Sequence, residues 1–170
     1  ISLNESDYRS HERTFQLLTQ AVGRAGRGRL SGEAIIQTYQ PENYAVLASA
    51  SQDYDSFYKQ EIAYRKLLSY PPCSHILGIQ VSSENNQAAI AQADIIASLI
   101  KRNFDKILVL GPEDAYIGKL KDVYRRIIYI KNKDYNRLVE VKDLVEQFLL
   151  TQKQYRNTST WFDFDPINTL

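Results

Sequence analysis

The chain has 170 residues, 44% apolar and 24% charged, which is ample for a hydrophobic core and too apolar for a disordered segment. Its 21 Lys and Arg against 20 Asp and Glu leave a net charge of +1, so no global field draws it to nucleic acid and any such binding has to come from local patches. One Cys and two His exclude an internal disulfide and a zinc site of the usual spacing, and the absence of a long apolar run or signal-peptide layout predicts a soluble, cytoplasmic chain with no membrane partner.

There is no Met, and the first residue is Ile1, so the expectation is a segment of a longer protein. Glu12–Val22 sets Phe15, Leu18 and Val22 at spacings of 3 and 4, the stripe of a short helix. Four of the seven glycines then fall between Gly23 and Gly32, and Glu33–Tyr39, rich in strand formers, predicts a strand ending before Pro41. Helix, Gly-rich turn and strand make a unit of an α/β layer. From Asn43 to Leu68 the pattern is helical in two segments, one carrying Tyr44, Leu47 and Ala48, the other Tyr54, Phe57, Tyr58, Ile62 and Leu68. Pro71 and Pro72 stop it, which places the main boundary between residues 1–70 and 71–170.

The second part has a legible order. His75–Ser82 alternates, with Leu77, Ile79 and Val81 against Gly78, Gln80 and Ser82. Asn85 or Asn86 is a cap for a helix with Ala89, Ala93, Ile96 and Ile100 on one stripe. Ile107–Leu110 predicts a short strand ended by Gly111 and Pro112, and Arg126–Lys131 predicts another. Asp134 is a cap for a helix with Leu138, Val141, Val145, Phe148 and Leu149 inward, and Trp161–Asp165 alternates again before Pro166. The order β-α-β-β-α-β is the split βαβ pattern of ferredoxin-like α+β domains, which by itself decides nothing about activity.

The chemistry concentrates in Gln20–Arg27. Arg24 and Arg27, three apart on a helical turn, each offer a planar fork of donors suited to phosphate oxygens, and Gly23 and Gly26 leave room for a close approach. Gly23 and Gly28 have the spacing of a P-loop, but Arg29 and Leu30 follow where Lys and Ser or Thr are required. Gly32 comes one residue too late for a dinucleotide fingerprint. Without a phosphate cradle of their own, the arginines would act on a phosphate held elsewhere, as an arginine finger does; the bland alternative is a solvated turn.

Lys119, Lys121, Arg125, Arg126, Lys131 and Lys133 form a cationic stretch opposed only by Asp122, either a patch for phosphate or acidic peptide or a solvated hairpin edge. The Tyr-rich segment from Tyr54 to Tyr64 has the rings to stack bases, but its spacing favours core or domain-interface packing. Asp163 and Asp165 share a strand face opposite Phe162 and Phe164, which predicts a solvent face and no metal site. Cys73 reads as a small buried or half-buried hydrophobe.

Gln20–Arg27 resembles motif VI of superfamily 2 helicases. With Asp7–Gln20, Gly32–Tyr39, Tyr54, Phe57, Tyr58, Glu61, Ile62, Arg65 and Tyr70–Pro72 it is similar to the primosomal protein N′ family of bacterial replication-restart helicases. Gly111, Pro112, Tyr124, Arg125 and Asp163–Pro166 resemble the C-terminal end of that family, and Cys73 departs from it where Phe is more usual.

The resemblance implies that residues 1–70 are the end of a RecA-like second helicase lobe. It also implies that ATP and Mg²⁺ sit on a first lobe upstream, together with a zinc insert and DNA-binding domains. Gln20, Gly23, Arg24, Gly26 and Arg27 would then contact the nucleotide, with Arg24 and Arg27 catalytic and Arg27 as the finger. The implied activity is ATP-driven 3′→5′ unwinding that restarts stalled forks and assembles the primosome. The partners implied are forked and single-stranded DNA, the tail of single-stranded DNA-binding protein and other primosome proteins; the isolated segment would not hydrolyse ATP. The competing class is a non-enzymatic module binding nucleic acid or protein.

Overall fold

The computed structural model describes residues 3, 7–25, 32–151 and 157–167. The chain divides into two units, Ile1–Leu68 and Ser69–Leu170.

Unit 1 holds helices α1 (Ser10–Ala25), α2 (Tyr44–Ser51) and α3 (Tyr54–Leu67). Each start has its own side-chain acceptor. Asp7 Oδ1 takes the Arg9 N–H at 3.0 Å ahead of α1, Asn43 takes the Ala45 N–H, and Asp53 takes the Ser56 N–H. Helix α2 ends at Gln52, in the left-handed region at φ 55°, whose N–H closes onto the last carbonyls. The core is Phe15, Ala45, Ala48 and Phe57, with the Phe15 and Phe57 rings stacked at 4.2 Å.

Two expectations for this unit are corrected. Glu33–Tyr39 forms no strand: no described residue gives it a ladder, and Ile35 and Tyr39 stand in solvent. Strand-forming composition is not enough without a partner edge. In α3 only Phe57 among the expected apolar residues is buried, while Tyr54, Tyr58 and Leu68 are half or more exposed. The seam of α3 is Phe57, Glu61 and Arg65, so the inward stripe is completed by polar residues that find partners.

Unit 2 runs β1 (His75–Ser83), α4 (Asn86–Asn103), β2 (Leu108–Leu120), β3 (Val123–Asn132), α5 (Tyr135–Thr151) and β4 (Thr158–Phe164). The strands form one sheet in the order β2-β3-β1-β4, every neighbouring pair antiparallel, which is the split βαβ topology. Leu77, Ile79, Val81, Ile128 and Ile130 point to one face and close against Ala93, Ile96 and Ile100 of α4 and Leu138, Val141 and Val145 of α5. Asn85 caps α4 by accepting the Ala88 N–H at 3.1 Å, and Asp134 accepts the Asn136 N–H at 2.9 Å at the start of α5. Buried Gln92 bridges α4 to β4, donating to Thr160 Oγ1 at 3.0 Å and accepting from Thr158.

Here too the structure departs from the sequence reading. Gly111 and Pro112 do not end β2: the register shifts between Leu110 and Glu113 and the strand continues to Leu120. An edge strand tolerates a residue without an N–H, and Gly111 supplies the bend at φ 87°, where a Cβ would lie 2.8 Å from the Ile127 carbonyl oxygen. Asp165 is not on a solvent face with Asp163. It turns off the end of β4 at φ 47° and spends its carboxylate on Ile76 N–H and His75 Nδ1.

Candidate functional site

Gln20, Gly23 and Arg24 lie on the last turns of α1. Gln20 and Arg24, one turn apart on the same face, are exposed, and Arg24 has no ion-pair partner among the described residues. A cation there also complements the carbonyl end of the helix dipole. A Cβ on Gly23 would meet Gln52 Nε2 at an ordinary 3.6 Å, so packing within the unit does not require glycine there. Gly32 is different: a Cβ would collide with the backbone of Ala25, so Gly32 lies against the end of α1. Gly26 and Arg27 lie outside the described residues.

Near its start, α1 is anchored by polar groups. Arg65 donates from Nε to Glu61 and from a terminal nitrogen to Glu12, each at 2.7 Å, and Tyr44 donates its hydroxyl to Glu61 at 2.6 Å. Burial works against the Arg65 charge, but Glu61 and Glu12 outweigh it and raise its pKa. Burial first, then Glu61, raises the Tyr44 pKa, and burial lowers that of His11, whose ring stacks on Tyr44 at 5.0 Å. This network holds α1 to α3, and its only local signal was the i, i+4 spacing of Glu61 and Arg65.

The cationic stretch does not form one patch. Lys119 pairs with Asp122 at 2.9 Å and lies over Tyr124, and Lys121 occupies the β2–β3 turn at φ 48°. Arg126 points to the helix side, paired with Asp114 at 3.1 Å and hydrogen-bonded to Asn86 Oδ1. Lys131 is buried on the other side with Nζ 3.6 Å from the Tyr70 ring centre, and desolvation lowers its pKa. Lys133 is exposed beyond the end of β3. Arg125, adjacent to Arg126 in sequence, alternates onto the face away from the helices.

That open face carries a groove of about 580 Å³ that sequence reasoning missed. The register puts Gly78 and Gln80 of β1 opposite Asp163 and Trp161 of β4, with Arg125, Ile127 and Tyr129 alongside on β3 and Tyr116 on the edge strand. Trp161 and Tyr116 are 69% and 79% exposed and stack on no other ring among the described residues. Arg125 lines the groove without an ion-pair partner among the described residues. Burial, then Glu113 and Asp163, pushes the Tyr129 phenol up to about 12, so it stays a donor.

No helix of the described residues is long and apolar enough to cross a membrane. Residues 66–167 match the family model of the primosomal protein N C-terminal domain. The chain is 36% identical over 166 residues to the replication restart protein PriA of Bacillus subtilis, an alignment covering 97% of this chain and 21% of that protein. It is 38% identical over 133 residues to the replication restart protein PriA of Thermotoga maritima, covering 78% of this chain and 17% of that one. The Chlamydia trachomatis protein of the same name is 32% identical over 166 residues, covering 96% and 21%. The chain spans about a fifth of the length of the curated relatives it matches.

Proposed function

Because the chain belongs to the primosomal protein N C-terminal domain family, we propose that it works in replication restart as part of an ATP-dependent 3′→5′ DNA helicase. The observation that carries the reading is the 36% identity to a replication restart protein running through 97% of the chain, unit 1 included. Residues 1–70 are then the closing part of a RecA-like lobe, and Gln20, Gly23, Arg24, Gly26 and Arg27 meet a nucleotide whose phosphates are cradled elsewhere. The exposed Arg24, without an ion-pair partner among the described residues, stands beside Gln20 on an anchored helix and fits that role: the anchor fixes the helix and leaves its donors in solvent.

In this reading Arg27 stabilises charge on the transferring phosphoryl group, and Arg24 and Gln20 bind and orient. In the same reading Mg²⁺ and zinc belong to the first lobe and the zinc insert of the whole protein. Forked and single-stranded DNA, the tail of single-stranded DNA-binding protein and other primosome proteins are the partners of this assignment. In the full-length protein, Arg27→Ala should lower DNA-stimulated ATP hydrolysis about 10³-fold while nucleotide binding persists; a near-normal rate overturns the role of Arg27.

A further inference from the structure

We propose that the open face of the unit 2 sheet is a stacking platform for single-stranded DNA, with bases lying on Trp161 and Tyr116 and a backbone phosphate held by Arg125. This rests on the replication-restart reading and adds to it a surface and the chemistry of its ligand.

Three features converge on a nucleotide chain. Trp161 and Tyr116 hold large rings in water at the rim of one groove, each without a ring neighbour among the described residues. Every base has a π-face to cover such rings, whatever the sequence. The positive charge of this face is concentrated in Arg125, because Arg126 points the other way to Asp114 and Lys131 lies against Tyr70. A guanidinium without an ion-pair partner among the described residues is suited to a phosphate, and Lys119 near the end of β2 and Lys121 in the β2–β3 turn are cations nearby.

The third feature is the polar floor. Gln80 lines the groove on a strand between the aromatic rims and Asp163 lines it beside Trp161 on β4, where they accept from the exocyclic amines and ring N–H groups of bases. Gly78 lines the floor opposite Asp163, where a Cβ would meet Tyr129 at 3.4 Å and Pro166 at 3.7 Å. An acidic peptide would put its carboxylates against Asp163, and against Glu113 on the same face. A nucleotide instead divides its charge, phosphate towards Arg125 and base donors towards Asp163, as the groove is divided.

Trp161 is the sole tryptophan, so its emission reports stacking directly. The experiment titrates the chain with fluorescein-labelled oligo(dT) of about 20 nucleotides, longer than a typical single-strand site, following anisotropy and tryptophan emission together. The expected result is saturable quenching that tracks the anisotropy. Trp161→Ala should weaken binding about 10-fold, with Trp161→Phe recovering most of it. Arg125→Gln should reduce the slope of log affinity against log salt by about 0.7, the increment for one phosphate contact on a single strand. Arg126→Gln, on the helix side, should leave affinity and slope unchanged; circular dichroism checks that each variant is folded.

Binding without quenching, or unchanged affinity in Trp161→Ala, puts DNA elsewhere and overturns the platform while leaving the helicase reading intact. Absence of binding at low salt also overturns the platform, and the ATPase of full-length Arg27→Ala then judges the helicase reading separately. An acidic peptide that displaces the oligonucleotide and quenches Trp161 assigns the face to a protein partner and overturns the DNA assignment.

Discussion

The Asp165 carboxylate accepts the backbone N–H of Ile76 at 2.8 Å, and the Asp165 N–H returns a bond to the Ile76 carbonyl at 2.7 Å. The second carboxylate oxygen meets His75 Nδ1 at 3.0 Å. Asp165→Ala leaves the Ile76 N–H unsatisfied near the buried start of β1 and should destabilise unit 2 by about 1 to 3 kcal/mol. Asp165→Asn keeps one acceptor and should lose less. Urea unfolding followed by Trp161 emission reads this unit; equal midpoints for wild type and Asp165→Ala would contradict the role given to the pair.

Arg65 is the shared partner of Glu61 and Glu12, with its side chain 11% exposed and that of Glu61 9%. Removing one member of such a buried set leaves an uncompensated charge, so Arg65→Ala should cost roughly 3 kcal/mol. Arg65→Lys keeps the charge but cannot span both carboxylates from one planar group, and should fall between. Amide hydrogen exchange in α1 and α3 is the readout, and unchanged protection in Arg65→Ala would show that the aromatic core alone holds these helices.

His11 carries a pH dependence whose sign follows from its burial. Desolvation lowers its pKa below 6.5 against a smaller opposing pull from Glu61. The unfolded chain therefore takes up the proton first, and the stabilising contribution is full above about pH 6.5 and lost as pH falls through the folded-state value. Unit 1 should have a lower denaturation midpoint at about pH 5.5 than at about pH 7.5, and His11→Gln should flatten that difference. NMR titration of the His11 ring gives the direct check, with His75 the only other histidine; a midpoint above 6.5 would reverse the sign.

Much of unit 2 was legible because its periodicities coincide with burial. Ala89, Ala93, Ile96 and Ile100 recur at helical spacing and all are fully buried, and Leu77, Ile79 and Val81 alternate into the same core. The misreadings have physical causes. Pro112 reads as a stop, yet β2 lies at an edge where a missing N–H is harmless. The seam of α3 passes through Glu61 and Arg65, which an apolar count overlooks. The groove was invisible because register across four strands makes it: Trp161, Gln80, Arg125 and Tyr116 come from four separate stretches of sequence. Arg125 and Arg126 belong to opposite faces by strand alternation alone, a signal that treating the stretch as one patch concealed.

The pairing of β1 with β4 brings the first and last strands of unit 2 side by side, with Leu77 opposite Phe164. The two ends of the unit are therefore neighbours in space, and its topology resembles a ring opened at one point. A linker from the residues after Asp165 to those before His75 would close that ring, and the β2–β3 turn at Lys121 and Asp122 is an exposed place to open it again. Removing β4 alone is a different operation: it turns the central strand β1 into a bare edge and strips the groove of Trp161 and Asp163 together. The last strand thus completes the sheet and furnishes the open face in one step.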